Sequence, residues 1–243
     1  MTSARRPRIR GILFDKDGTL LDYEASWRPI NARAAALASG GNPDLARRLL
    51  QLGGADAHGG SVAADSLLAA GTAAEIAAGW VDGGAPFATD ALTVALDALF
   101  REAADEVVPV ADLSALFAAL RARGLRLGIA SSDNEAAIRA TAARFGIAGL
   151  TDFVAGYDSG HGTKPGPGMA EGFCRATGLM PAEVAVVGDN AHDIAMGRAA
   201  GVGLTVGVLT GTGSRAMLSG LADLCLPSIA GLEAALDELG FIG

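Results

Sequence analysis

Apolar residues along this chain change their rhythm twice. Near the start, Gly11 to Phe14 form a short apolar run, the signature of a buried strand, and it leads straight into Asp15-Lys16-Asp17-Gly18-Thr19-Leu20. From about Asp22 to Val108 the apolar positions recur at helical spacing, punctuated by Gly-Gly, Asn-Pro and Ala-Pro, and no strand pattern is convincing. Helices are expected over Ser26 to Leu37, over Pro43 to Leu52 with the proline in the first turn, and over Val62 to Ala70. A fourth opens on the capping-box pattern Thr72-Ala-Ala-Glu75 and ends near Gly83, and a fifth covers Thr89 to Glu106.

From Val110 onward, helix and strand patterns alternate. Expected helices are Asp112 to Arg123 (stopped by Gly124), Asn134 to Phe145 (closed by Gly146), Gly168 to Thr177 (ended by Gly178) and Ile194 to Ala200. Between them lie expected strands at Leu125 to Ala130, Asp152 to Ala155, Glu183 to Val187 and Val202 to Val208. A last strand and helix fall near Asp223 to Leu226 and Ile229 to Leu239. Such alternation predicts an α/β fold, a parallel sheet with helices on both faces. Residues 1–21 and 109–243 form its core, and residues 22–108 an all-helical insertion of about 85 residues.

Composition narrows the class. The chain has 243 residues, half of them hydrophobic, with a net charge of −8, so a sizeable core is expected and a basic nucleic-acid face is not. Arg5-Arg6 near the start is followed by no apolar stretch, because Asp15, Lys16 and Asp17 interrupt it. The longest uncharged run, Ala199 to Ser214, is too short and glycine-rich to span a membrane. Two cysteines, Cys174 and Cys225, make no disulfide framework and are expected to be buried free thiols. A soluble cytoplasmic protein, monomer or homodimer, is the expectation.

The candidate chemistry sits just after the apolar strands. Asp15 and Asp17 are two apart, so in an extended backbone both point to one side, and Gly18 allows the tight turn that follows. Ligands of open α/β sheets bind at that carboxyl edge. Leu127-Gly-Ile-Ala-Ser131-Ser132-Asp133 repeats the pattern, with a hydroxyl able to donate to a phosphoryl oxygen and Asp133 expected to cap the next helix. Thr163-Lys164-Pro165-Gly166-Pro167 carries one of only two lysines in the chain, Lys16 being the other. Gly188-Asp189-Asn190-Ala191-His192-Asp193 places one aspartate at a strand end and another in the opening turn of a helix.

In this order, these four stretches resemble the four motifs of the haloacid dehalogenase superfamily, in its phosphatase branch. Ser131 matches the second motif, although Ser132 stands where the family often has Asn, and Lys164-Pro165-x-Pro167 matches the third. The resemblance implies a Rossmann-like core with a C1-type helical cap, and a plan most similar to the phosphoglycolate phosphatases. It also implies that Asp15, Asp17, Asp189 and Asp193 converge, with Lys164 as the only nearby cation from these motifs. Carboxylates so crowded would raise one another's pKa, and an all-oxygen site of this kind suits Mg²⁺.

The implied metal ligands are Asp15, the backbone carbonyl of Asp17, and Asp189, with Asp193 and Asn190 acting through water or hydrogen bonds. The implied reaction is hydrolysis of a small phosphorylated metabolite through an aspartyl-phosphate on Asp15, with Asp17 as acid and base. Lys164, Ser131, Ser132, Lys16 and the loop around Gly18 would contact the phosphoryl group. Alternatives are a phosphomutase of the same superfamily and a phospho-aspartate signalling module. Asp17 and the insertion argue against the signalling module. The absence of lysine from Asp22 to Val108 weakens the mutase reading. Trp27, Arg28, Asn31 and Arg33 on the first inserted helix are candidate specificity residues. Arg28 or Arg33 could meet a substrate carboxylate, or both could lie on a solvated face. His58 is read as a loop residue, His192 as a rim residue and not a ligand, and His161 lies in a glycine-rich loop with no assigned role.

Overall fold

The computed structural model describes residues 8–56 and 61–242. Six strands form one parallel sheet: β1 (Gly11–Phe14), β2 (Arg126–Ala130), β3 (Phe153–Ala155), β4 (Val184–Gly188), β5 (Leu204–Val208) and β6 (Leu224–Leu226), in the order β3-β2-β1-β4-β5-β6. The central strands β1, β4 and β5 are buried along their whole length, as parallel strands covered on both faces require. Alternate residues serve different faces. Ile12, Phe14, Ala185 and Val187 join one apolar cluster, while Leu13, Val184 and Val186 join another with Met169, Phe173 and Met196.

Between β1 and the helix before β2 lie five helices: α1 (Tyr23–Ala38), α2 (Pro43–Leu52), α3 (Leu67–Ala70), α4 (Ala73–Asp82) and α5 (Thr89–Glu102). Their apolar faces continue the first cluster, from Phe14 through Trp27 and Ile30 to Leu49, Trp80 and Leu96. Then follow α6 (Leu113–Ala122), α7 (Glu135–Arg144), α8 (Gly168–Thr177), α9 (Ala191–Ala200), α10 (Arg215–Leu221) and α11 (Leu232–Glu238). Where caps are strong the expected limits coincide with the observed ones. Asn42 and Pro43 open α2, the Thr72–Glu75 capping box opens α4, and left-handed Gly178 ends α8.

Several expectations need correction. The helix expected from Val62 is a single turn beginning at Leu67, because Val62 pairs with Ala55 in an isolated bridge and Ser66 precedes the turn. The fifth helix tightens into a 3-10 turn over Ala103–Asp105. The sequence reading missed α10, a seven-residue helix capped by Ser214. Asn134 and not Asp133 caps α7: its side chain accepts from the Ala137 N–H. Cys174 is buried, but Cys225 is only half-buried. Among the described residues no helix is long and apolar enough to cross a membrane.

Candidate active site

The chain order of the strands explains where the site forms. The chain lays down β1, β2 and β3 toward one edge, then returns to place β4 on the other side of β1. The carboxyl ends of β1 and β4 are therefore neighbours at a topological switch point. Phe14 is in register with Val187, and the Asp15 N–H donates to the Val187 carbonyl at 2.8 Å. Asp15 and Asp189, the residues just beyond these strands, are thereby brought together. Ser131 follows β2 in the same way, its N–H donating to the Ala155 carbonyl at 3.0 Å.

One carboxylate oxygen of Asp15, one of Asp189 and one of Asp193 lie within 4.8 Å of one another. Asp193 is held there as the third helical residue of α9. Its Oδ2 accepts from the Asn190 N–H at 3.1 Å, while the Asn190 side chain caps the helix. Lys164, at the cis Lys164–Pro165 bond, reaches in from the loop after β3 and donates to Asp15 Oδ1 and Asp193 Oδ1, both at 2.6 Å. Burial is the main force pushing the Asp15 carboxyl up to about 7. Lys164 opposes it, and the Asp193 and Asp17 carboxylates add to it. Asp189 is raised well above the usual carboxylate range, again by burial first and then by Asp15 and Asp193. Burial works to lower the Lys164 ammonium, but its two carboxylate partners outweigh it and hold it charged.

A divalent cation fits this donor set. The cluster offers hard oxygens only, and Asp15 Oδ2 is buried with no hydrogen-bond donor. Both Asp193 oxygens already accept N–H groups, which leaves Asp15 and Asp189 as the more open carboxylates. Two glycines permit the crowding. A Cβ on Gly18, at φ +85°, would come within 2.6 Å of the Asp189 carboxyl carbon, and one on Gly211 within 1.9 Å of Asp189 Oδ2.

Asp17 faces a second set of partners. Its carboxylate accepts from Trp27 Nε1 at 2.7 Å and from Lys16 Nζ at 2.8 Å, and Lys16 also pairs with Asp133 at 3.1 Å. Lys16 is therefore a second buried cation close to the motifs, and its ammonium is committed to these carboxylates, 5.4 Å from the Trp27 ring centre. Lys164 is not the only one, as the sequence reading had it.

Asp15, Asp17, Ser131, Ser132, Lys164, Asp189, Asn190, His192 and Asp193 all line one cleft, together with Trp27 and Asn31 from α1. Other candidates lie elsewhere. Arg28 is exposed and lines a neighbouring cleft with Glu24 and Thr210, and Arg33 pairs with Glu106 at 2.6 Å. His161 packs beside Phe153, and His58 lies outside the described residues. The sequence reading missed the loop after β5. There the Thr212 N–H donates to Asp189 Oδ2 at 2.8 Å, and the Thr210 hydroxyl donates to the Gly18 carbonyl at 2.7 Å. Its signal is the one used for β1, β2 and β4: polar Thr210-Gly-Thr-Gly directly after an apolar strand.

Comparison with known proteins extends this picture. A 92-residue stretch is 35% identical to the phosphoglycolate phosphatase of Rhodospirillum rubrum, and it spans 38% of this chain and 38% of that relative's length. The fold is similar to that of CbbY from Rhodobacter sphaeroides in complex with phosphate, with a TM-score of 0.71 and 21% identity, covering 94% of this chain and 99% of that one. It is also similar to a protein of Haemophilus somnus 129pt described as a predicted phosphoglycolate phosphatase, with a TM-score of 0.70 and 20% identity, covering 93% and 97%. The family model for haloacid dehalogenase-like hydrolases matches residues 9–201. That match runs from β1 through the inserted helices to the end of α9, and the chain belongs to the haloacid dehalogenase-like hydrolase family.

Proposed function

We propose that this hydrolase is a Mg²⁺-dependent phosphomonoesterase acting on a small phosphorylated metabolite through an aspartyl-phosphate. One observation carries the reading: Asp15 has one oxygen held by Lys164 at 2.6 Å and the other buried without a donor, beside Asp189. That is the environment of a carboxylate that shares a cation and a phosphoryl group. The ligands of Mg²⁺ would be Asp15, the Asp17 carbonyl and Asp189, and the bound ion would neutralise charge on the phosphoryl oxygens.

An Asp15 oxygen attacks phosphorus in line with the ester bond. The P–O bond to the alcohol breaks as the bond to Asp15 forms. Asp17, protonated when the substrate is bound, gives that proton to the departing alkoxide, then regains one from the water that attacks the aspartyl-phosphate and releases inorganic phosphate. Lys16 and the Trp27 N–H fix where the Asp17 carboxyl sits. Lys164 and Ser131 stabilise charge on the transferred group. Residues 22–108 act as a cap that closes over the site and excludes water. The names of the similar proteins suggest 2-phosphoglycolate as a first substrate to try.

The test is phosphate release from a panel of small phosphomonoesters, with Mg²⁺ and with chelator, by the wild type and Asp15→Asn. The expected result is Mg²⁺-dependent release that disappears in Asp15→Asn. Absence of release from every ester, with a stable phosphoryl group on Asp15, would sink the reading and favour the mutase or signalling alternatives.

A further inference from the structure

Asp133 is a buried carboxylate to which the proposed reaction gives no task. It stands three residues beyond the carboxyl end of β2, and its N–H donates to Ser131 Oγ at 3.1 Å. Its Oδ2 lies 3.1 Å from Lys16 Nζ, which donates to Asp17 at 2.8 Å. Its Oδ1 accepts from the Asn134 N–H at 2.8 Å and from Asn134 Nδ2 at 3.2 Å. Buried charges persist only when paired and hydrogen-bonded in this way. Asp133 and Asp17 thus hold one ammonium between them. Where Asp133 stands decides where Lys16 presents its protons to Asp17.

Asn134 carries the chain of contacts on to the inserted helices. Its Oδ1 caps α7, accepting from the Ala137 N–H at 2.9 Å, and this fixes the amide. Its Nδ2 then donates to Asp97 Oδ1 on α5 at 3.0 Å. The other Asp97 oxygen accepts from the Tyr157 hydroxyl at 2.7 Å, and the Tyr157 N–H donates to the Asp133 carbonyl at 3.1 Å. Burial and the Asp97 carboxylate push the Tyr157 phenol up, so it stays a donor. Asp97 closes a ring with Asn134, Asp133 and Tyr157, although it does not itself line the cleft. Asp17 is therefore held from two sides. Trp27 of α1 reaches it directly at 2.7 Å, and Asp97 of α5 reaches it through Asn134, Asp133 and Lys16.

In the phosphatase reading Asp17 gives a proton to the departing alkoxide. On that reading we infer that Asp133 is a positioning residue for Asp17, acting through Lys16, and that Asp97 braces Asp133 from the inserted helices. A general acid works only within hydrogen-bond reach of the leaving oxygen, so a small displacement of Asp17 slows that step above all others.

The test compares two leaving groups. The alkyl phosphate of the panel with the highest turnover loses an alkoxide, which needs the Asp17 proton. Acetyl phosphate loses acetate, which leaves without one. The readout is the ratio of kcat/KM on the alkyl ester to kcat/KM on acetyl phosphate, with thermal unfolding followed alongside. Asp17→Asn sets the scale, with an expected fall in the ratio of about a hundredfold. Asp133→Asn keeps the size and the Oδ1 acceptor but loses the charge facing Lys16, and the ratio is expected to fall about tenfold. Asp97→Ala, at a half-buried position, is expected to lower it about threefold and serves where Asp133→Asn folds poorly. The double variant should fall no further than Asp133→Asn, because the two act along one path. A further threefold fall there removes Asp97 from the assignment. An unchanged ratio in both single variants, with Asp17→Asn as expected, overturns the inference and leaves the phosphatase reading standing. Equal losses on the two esters that track a lowered Tm show a purely structural role and overturn it as well. An unchanged ratio in Asp17→Asn fails Asp17 as the acid, and no release from any ester by the wild type fails the phosphatase reading. The inference falls with either.

Discussion

Lys16 shows how one residue can be right by position and different in use. It sits inside the first motif, yet its ammonium turns to Asp17 and Asp133, and the side chain is 2% exposed. Burial alone would lower its pKa, but the two carboxylates overcome that and keep it charged. Asp133 in turn is raised by burial and held down by Lys16. Asp133→Ala leaves Lys16 with Asp17 alone and takes away the acceptor of the Asn134 N–H, so it is expected to cost about 1–3 kcal/mol of stability, read from the urea midpoint at constant slope. Gly211 makes the opposite point, a residue that acts by having no side chain. Gly211→Ala would push its Cβ into Asp189 Oδ2, so Mg²⁺ affinity measured by calorimetry is expected to fall at least about tenfold while the far-ultraviolet circular dichroism stays native. Neither role could be read from sequence, because both depend on a neighbour far along the chain.

Among the elements, legibility followed the strength of local signals. The bounds of α2, α4 and α8 were readable from Asn42-Pro43, Thr72 with Glu75, and Gly178, because a cap is a contact between residues a few positions apart. The helix expected from Val62 failed for lack of such a cap, and α10 was missed because it is short and carries Gly220 inside it. The capping box of α4 also supports the cleft wall, since Gly71 and Ala73 flank Thr72 and both line the cavity. Thr72→Ala removes a side chain that accepts from the Glu75 N–H at 3.2 Å and donates to its carboxylate at 3.0 Å. The expected loss is about 1 kcal/mol, seen as earlier thermal unfolding, and a loss below a few tenths would show that packing of Ile76 and Trp80 alone holds the helix.

At the scale of the whole molecule, the buried carboxylates set the response to pH and metal. Asp15 titrates near 7 in the folded chain and near 4 when unfolded, so its contribution to stability is complete below about 4 and is lost as pH rises through about 7. Ionised Asp15 is also the form that binds a cation. Without metal the protein is therefore expected to lose stability across that window, and with Mg²⁺ to recover it. At 100 times its dissociation constant, Mg²⁺ should add about 2.7 kcal/mol, roughly 5–10 °C in Tm for a chain of this size. Melting curves in chelator and in Mg²⁺ from pH 4.5 to 8 test this. The gap should widen with pH, and a constant gap would separate Asp15 from metal binding.

The alternation of elements, the acidic end of β1 and the four polar stretches that follow strands are all legible in the order of residues. These are local properties, set by period, caps and turns within a few residues. Long-range folding sets which of those stretches meet. The return of the chain to place β4 beside β1 brought Asp189 to Asp15 across more than 170 residues, and the loop after β5 joined Asp189 to the Gly18 turn. It also decided that Trp27 and Asn31 face the cleft while Arg28 and Arg33 do not, because α1 turns one stripe toward the sheet edge and leaves the other in water.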